Sequence, residues 1–316
     1  MDNLTHALTG VLLSRAGLNR LSPKANWLLV LAANVPDIDI LALAGGTDLY
    51  FEHHRGITHA LVMIPVMALL PVLFVRFVLR QKLSWVRALL ASSVGVASHL
   101  LLDWTNSYGI RLWLPFSDSW PALDITSVID LFIWTTLAIA VLAPVLSRLV
   151  SSEIGAKKTS GRGWAIAGLV LLLLYDCGRL ALRDRAIAIQ EARLYQGRPP
   201  ARTLVFPTPL NPALWEGLIE TDRFWALHTV NLASEFDPSA SRVIYKPESS
   251  PAIAAAKATH VFQVMESFSR ALQYTSAPSG EVENGVQVEA RDLRFGFRAI
   301  AILDSRNAVQ RAWFSY

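Results

Sequence analysis

Long apolar runs separated by short charged connections fill the first part of the chain and stop near Leu182. Five of them, near Ala25–Ala44, Ala60–Leu79, Trp85–Trp104, Ser127–Leu149 and Trp164–Leu182, have the roughly 17–25 residues that a helix needs to cross a bilayer. Leu4 to Ala16 is shorter and reads as a partial or tilted helix packed on the others. The first long run is interrupted by Asn34-Val35-Pro36-Asp37-Ile38-Asp39, which is too polar for lipid and must face protein or a water-filled cavity.

After Leu182 the pattern changes. Arg183–Gln196 is Ala-rich and charged and predicts a helix leaving the membrane. Alternating segments at Leu204–Phe206, Phe224–Val230, Val286–Ala290, Arg294–Leu303 and Val309–Tyr316 predict strands, the last two joined by a hairpin turn at Asp304-Ser305-Arg306-Asn307. Ile253–Tyr274 predicts a helix. The expected fold is an α-helical membrane domain, residues 1–182, with about five transmembrane helices plus a short N-terminal helix. A small α+β soluble domain, residues 183–316, follows it.

Composition fits this division: the chain is 53% hydrophobic and 17% charged, but the charge is ordinary only beyond Arg183. The net charge of +4 does not form a nucleic-acid patch, because the basic residues of the first half sit in short connections, which reads as topology. The partner expected is therefore the lipid bilayer, not nucleic acid. Arg15, Arg20 and Lys24 lie in one connection, Arg76, Arg80, Lys82 and Arg87 in or beside a second, and Arg148, Lys157, Lys158 and Arg162 in or beside a third. The alternate connections carry Arg55 and Arg111. The positive-inside rule then puts the basic connections in the cytoplasm, with Met1 and the C-terminal domain outside. Arg179, Arg183 and Arg185 run against that orientation, though large domains cross largely regardless of charge. The single cysteine, Cys177, excludes an intrachain disulfide, and Met1-Asp2-Asn3-Leu4 lacks the basic start of a signal peptide.

This topology gathers the ionisable residues on one membrane face. His99 and Asp103 end an apolar run four residues apart, so both side chains share a helical face and can share one metal ion. His6 starts the first short helix, Asp37 and Asp39 lie in the outward half of the second, and Glu52-His53-His54-Arg55-Gly56-Ile57-Thr58-His59 forms the outer loop. His6, Asp37, His54, His59, His99 and Asp103 are the candidate ligands, and His53 reads as a solvated loop residue. A mixed His/Asp set suits zinc, and manganese or iron also fit. An unligated carboxylate, Asp39 for preference, is the candidate general base, and Arg55 is placed to hold an anionic group. His228 and His260 stand apart in the second domain as surface residues, and Trp215, Trp225, Arg223 and Arg294 read as core packing and strand-face charge.

Asp2-Asn3-Leu4-Thr5-His6, Val35-Pro36-Asp37-Ile38-Asp39, His54-Arg55-Gly56-Ile57-Thr58-His59 and Ser98-His99-Leu100-Leu101-Leu102-Asp103 resemble, in order and spacing, the YdjM-type family of bacterial inner-membrane proteins. Asn106-Ser107-Tyr108-Gly109 and Trp113-Leu114-Pro115-Phe116 extend the likeness over roughly the first 135 residues. The resemblance implies a predicted metal-dependent hydrolase. More remotely, the pattern is similar to the zinc-dependent phospholipase C and P1 nuclease superfamily, whose N-terminal histidine, Pro-Asp aspartate and helical His-x-x-x-Asp correspond to His6, Asp37, and His99 with Asp103. The later His-x-x-x-Glu of those three-zinc enzymes is missing, because no histidine occurs between His99 and His228. Asp124 or Asp130 can substitute, or Asp124 can cap the next helix, and one or two metals are expected.

The reading that follows is a membrane-bound metal-dependent hydrolase acting on an ester or phosphoester, lipid or lipid-linked, at the outer face of the inner membrane. A metal or ion transporter is the alternative, although transporters bind near the bilayer midplane and these ligands gather at one end. A non-catalytic scaffold stapled by its metal is the third reading. The second domain carries no P-loop, dinucleotide fingerprint or nucleophile elbow to point elsewhere.

Overall fold

A computed structural model describes residues 1–154 and 161–315. Lys157 and Lys158 of the third basic connection, and Tyr316, lie outside the described residues. The first half is a helical bundle: α1 (Asn3–Ala16), α2 (Ala25–Ala32), α3 (Thr47–His53), α4 (Ile64–Leu73), α5 (Trp85–Thr105), α6 (Leu131–Ile154) and α7 (Arg162–Glu191). Among the described residues, four helical stretches are long and apolar enough to cross a membrane: Leu61–Val78, Trp85–Thr105, Leu131–Leu149 and Arg162–Glu191. A bent pair, Ala25–Ala32 with Val35–Gly45, makes a fifth if counted as one span. α7 continues without a break past Leu182 to Glu191, so the last span and the helix that leaves it are one element.

The bend in the second span has a local cause. Pro36 has no N–H to give, α2 stops at Ala32, and Val35–Gly45 continues as a tighter 3₁₀ turn inclined by 47°. Asn34 Nδ2 donates to the Val30 carbonyl at 2.8 Å, closing one of the freed acceptors. Two glycines let the helices meet closely around the break. A Cβ on Gly10 of α1 would stand 2.7 Å from the Leu29 carbonyl oxygen, and one on Gly95 of α5 would stand 2.7 Å from Ala32 Cβ. Small residues at such crossings bring backbones together where lipid supplies no hydrophobic drive. The result is that His6, the Ala33 carbonyl and His99 arrive at one place.

Asp130, not Asp124, caps α6: its Oδ1 accepts from the backbone N–H of Phe132 at 3.0 Å and Ile133 at 3.2 Å. Asp124 instead takes a bidentate ion pair from Arg270 at 2.6 and 2.7 Å. Neither aspartate joins the histidines, so neither replaces the missing His-x-x-x-Glu.

The second half holds two four-stranded antiparallel sheets, each in simple sequential order. The first is β1 (Arg202–Pro207), β2 (Leu214–Glu220), β3 (Phe224–Asn231) and β4 (Arg242–Tyr245). The second is β5 (Leu272–Pro278), β6 (Val286–Asp292), β7 (Arg298–Leu303) and β8 (Val309–Ser315). The segment expected as one helix, Ile253–Tyr274, is instead α8 (Pro251–Lys257), α9 (His260–Phe268) and the start of β5. The chain breaks between the helices at Ala258 and Thr259, and Leu272–Tyr274 pairs with Ala290–Asp292 of β6. Ala186 of α7 packs with Val205, Trp215 and Ile219 of the first sheet, and α9 packs Phe262, Met265 and Phe268 against the second. Trp215 and Trp225 are buried core, as the sequence indicates.

The second domain sits against the site end of the bundle. Arg270 and Arg294 each donate to the Ser107 carbonyl at 3.0 Å, and Tyr108 packs on Phe268 and Phe295. Phe51 of α3 joins the same aromatic cluster through Phe268, Phe297 and Phe314.

Candidate metal centre

Asp37, His59, His99 and Asp103 each present one donor atom, and these four atoms lie within 4.8 Å of one another. The separations fall in a narrow band: His59 Nε2 to His99 Nε2 is 3.1 Å, and Asp37 Oδ1 is 3.6 Å from both. Asp103 Oδ2 is 3.4 Å from His59 Nε2 and 3.5 Å from His99 Nε2. Zinc bonds of about 2.0–2.2 Å in a tetrahedron require donor separations of about 3.3–3.6 Å. Four of the six edges therefore already have the dimensions of a coordination shell, and the His59–His99 edge is slightly shorter.

The ring orientations argue for a cation more strongly than the distances do. His99 Nδ1 faces the Ala33 carbonyl at 2.7 Å, an acceptor only, so Nδ1 carries the proton. That carbonyl is free because α2 ends beside it. His59 Nδ1 faces Thr58 Oγ1 at 3.0 Å and Asp39 Oδ2 at 3.4 Å, while the Thr58 hydroxyl donates to the same Asp39 oxygen at 3.1 Å. His59 Nδ1 is then the donor as well. Both neutral rings point an Nε2 lone pair at the other across 3.1 Å, with no proton between them. A cation at that point turns two repulsive lone pairs into two bonds, and an oriented Nδ1–H is the usual support for a metal-bound imidazole.

Around the four donors lies a supporting layer. Asp103 Oδ1 meets Arg55 Nη2 at 3.3 Å, His6 Nε2 at 3.3 Å, Asn106 Nδ2 at 3.4 Å and the Met1 amine. Its other oxygen, Oδ2, is buried without a hydrogen-bond partner and faces the two histidines. Arg55 is buried, donates from Nη1 to Asn106 Oδ1 at 3.1 Å and lies over the Tyr108 ring at 4.7 Å. Burial pushes the Tyr108 phenol well above its ordinary range, so the ring stays neutral beneath that guanidinium.

Residues 1–186 match the YdjM inner membrane protein family. The chain belongs to that family. It is also 28% identical over 146 residues to the uncharacterized protein YfhP of Bacillus subtilis (strain 168), covering 42% of this chain and 43% of that one. The chain thus aligns with less than half of that relative's length. No solved structure matches it significantly.

In this YdjM family member the structure brings His6, Asp37, Asp39, Arg55, His59, His99 and Asp103 into one cluster, all buried except the half-buried Asp37, with different parts from those the sequence suggests for three of the candidates. His54, expected as a ligand, stands one layer out: its Nδ1 lies 3.0 Å from Asp39 Oδ1 and its ring stacks on Tyr50 at 4.6 Å. Asp39, expected as a base, has both oxygens engaged, since Oδ2 also accepts from the Arg55 backbone N–H at 2.7 Å. Arg55, expected to hold an anion, turns Nη2 to Asp103 and Nη1 to Asn106, while its Nε is buried without a hydrogen-bond partner. His6 stacks on His99 at 3.8 Å, and both its ring nitrogens are buried without a hydrogen-bond partner. His53 is exposed, and so is His260, which pairs with Glu52 at 3.4 Å. His228 is not a free surface residue, because Gln190 Oε1 at 2.7 Å and Ser241 Oγ at 3.1 Å hold its ring.

Sequence reasoning missed Asn106, although it lies within the motif Asn106-Ser107-Tyr108-Gly109. Its amide links Asp103 to Arg55, and its Oδ1 also accepts from the Tyr108 N–H at 2.8 Å. An Asn three residues after a candidate ligand, at the helix end, is the signal that could have found it.

Proposed function

We propose that this protein is a membrane-embedded, metal-dependent hydrolase that cleaves an ester or phosphoester of a lipid or lipid-linked molecule at the outer face of the inner membrane. The observation that carries this is the 3.1 Å approach of the His59 and His99 Nε2 atoms between two carboxylates. Zinc suits the two-His, two-Asp donor set best, and manganese or iron accept the same atoms.

When bound, such an ion lowers the pKa of water towards 7 and neutralises charge developing on the reacting oxygen. The chain's own residues do the remaining work. His59, His99 and Asp103 hold the ion from the buried side, and Asp37 is the one ligand whose side chain is partly accessible, at 14% against 0% for the others. Asp39 and the Ala33 carbonyl fix the two imidazole tautomers, and Arg55 with Asn106 keeps Asp103 turned the right way. Asp39 is on this reading a positioning residue. His6, with unpartnered nitrogens beside Asp103, is the group placed to take up or return a proton or to hold a second ion.

One observation favours the metal staple: four protein donors can close a tetrahedron, whereas a catalytic ion keeps an open position. The deciding experiment screens the purified, metal-loaded protein in lipid against phosphodiesters, phosphomonoesters and acyl esters. Turnover that a chelator removes and added metal restores supports the hydrolase. Full metal loading with every substrate class left intact supports the staple.

A further inference from the structure

Access to the candidate metal centre is confined to one side. The side chains of His59, His99 and Asp103 are wholly buried, and Asp37 alone of the four ligands is partly exposed. On the side away from the spans the second domain covers the site through Phe268 and Phe295, which pack on Tyr108. Asp37 lines a groove of about 430 Å³ whose polar end is Asn3, Asn34 and Asp37 and whose walls are Leu31, Ile38, Leu70, Pro71 and Phe74. That volume lies in the range of about 300–1,000 Å³ for small-molecule sites.

On the membrane reading of the helices, the apolar walls of the groove face the bilayer. Leu70 and Phe74 belong to the candidate span Leu61–Val78 and are 38% and 39% exposed on its surface, the face that a bilayer would cover with hydrocarbon. At about 1.5 Å rise per residue, Phe74 lies about 20 Å along that span from Leu61, well inside a hydrocarbon core of about 30 Å. They are four residues apart and so share one helical face. Ile38, 43% exposed, stands opposite on the bent segment that carries Asp37.

We infer that this groove is a lateral opening to the bilayer that seats one hydrocarbon chain of a membrane lipid, with the polar head of that lipid turned to Asp37. The inference rests on the hydrolase reading for what happens to the lipid, but not for its seating. Leu31, Ile38, Leu70 and Phe74 grip the chain, Asn3 and Asn34 meet the head, and a substrate reaches the ion from within the membrane. The occupant is a lipid because the groove joins a polar, ligand-bearing end to an apolar length of span exposed where only lipid is present.

The test uses the full chain in vesicles containing a phospholipid with a diazirine at mid-chain, photolysed and mapped by mass spectrometry. Adducts are expected on Leu31, Ile38, Leu70 and Phe74 at about tenfold the level on Ile139 and Leu142, which are lipid-facing residues of α6 outside the groove. Moving the diazirine to the headgroup should shift the adducts to Asn3 and Asn34. Leu70→Trp, which fills the groove, should cut labelling of the other groove residues about tenfold, and Ile139→Trp should not. Even labelling of α6 and the groove, or an unchanged pattern in Leu70→Trp, overturns the inference. Labelling needs neither metal nor turnover, so the hydrolase reading stands or falls separately in the substrate screen.

Discussion

Replacing Asp39 with asparagine separates a positioning carboxylate from a catalytic base. Asp39 accepts from the Arg55 backbone N–H at 2.7 Å, the Thr58 hydroxyl at 3.1 Å and His54 Nδ1 at 3.0 Å, and faces His59 Nδ1 at 3.4 Å. Asn keeps the shape but leaves one acceptor oxygen and sets an NH₂ where an oxygen met a donor. Hydrogen bonds to a charged acceptor contribute about 1.5–3 kcal/mol each, and at least one is lost whichever way the amide turns. Because His59 is held through this carboxylate, the loss should reach the metal as an affinity about 10–100-fold weaker, the usual effect of removing an outer-layer partner. The assay is competition for Zn²⁺ against a chromophoric chelator on solubilised wild type and Asp39→Asn, with turnover then measured at saturating metal. Turnover at saturation should fall less than about tenfold, since the missing orientation is partly restored by the ion. Wild-type metal affinity together with a loss of about 10²–10⁴ in turnover would refute this argument and restore Asp39 as a base.

Three further outcomes follow from other contacts. Arg270→Ala leaves the buried Asp124 carboxylate unpaired and removes one of the two side chains holding the Ser107 carbonyl, so it should cost about 3 kcal/mol, read as a lower unfolding midpoint and faster proteolysis between the domains. Gly95→Val puts a Cβ 2.7 Å from Ala32 Cβ and should cost about 1–3 kcal/mol, with metal content falling as α5 is pushed away from the Ala33 carbonyl. His228 has its pKa lowered to about 4 by burial, below its ordinary 6.5. The unfolded chain then binds the extra proton first, so this contribution is complete above pH 6.5 and is lost as pH falls to about 4. After allowance for solvent screening it amounts to about 1–2 kcal/mol, and His228→Asn should flatten that part of the stability–pH curve.

Much of the site is legible in the sequence because membranes make ionisable residues conspicuous. The i, i+4 spacing of His99 and Asp103 fixes their shared face, and the Pro36 break explains why Asp37 can point inward. What spacing does not contain is how the loop folds back. Arg55 takes a left-handed backbone, φ 56°, and its N–H turns onto Asp39, and His59 rather than His54 then faces Asp37, His99 and Asp103. The Asp124 and Asp130 roles depend in the same way on a distant partner, Arg270, and on which aspartate immediately precedes α6. In the second domain β2 was not expected, because Gly217 interrupts it and buried residues on both faces erase the alternation. β7 begins at Arg298 rather than Arg294, since Asp292 Oδ1 accepts the N–H groups of Arg294 and Phe295 and holds a turn. Leu272–Tyr274 looks helical locally and becomes a strand only through its pairing with β6.

On the proposed function, Asp37, His59, His99 and Asp103, which could hold a metal ion, bind a divalent one. Elemental analysis of protein purified without chelator, wild type beside His99→Ala, tests it most directly. About one tightly held ion per wild-type chain is expected, zinc foremost, and little or none in His99→Ala despite an intact fold by circular dichroism. Wild-type protein that carries no divalent metal and takes none up from a Zn²⁺, Mn²⁺ or Fe²⁺ solution would contradict it.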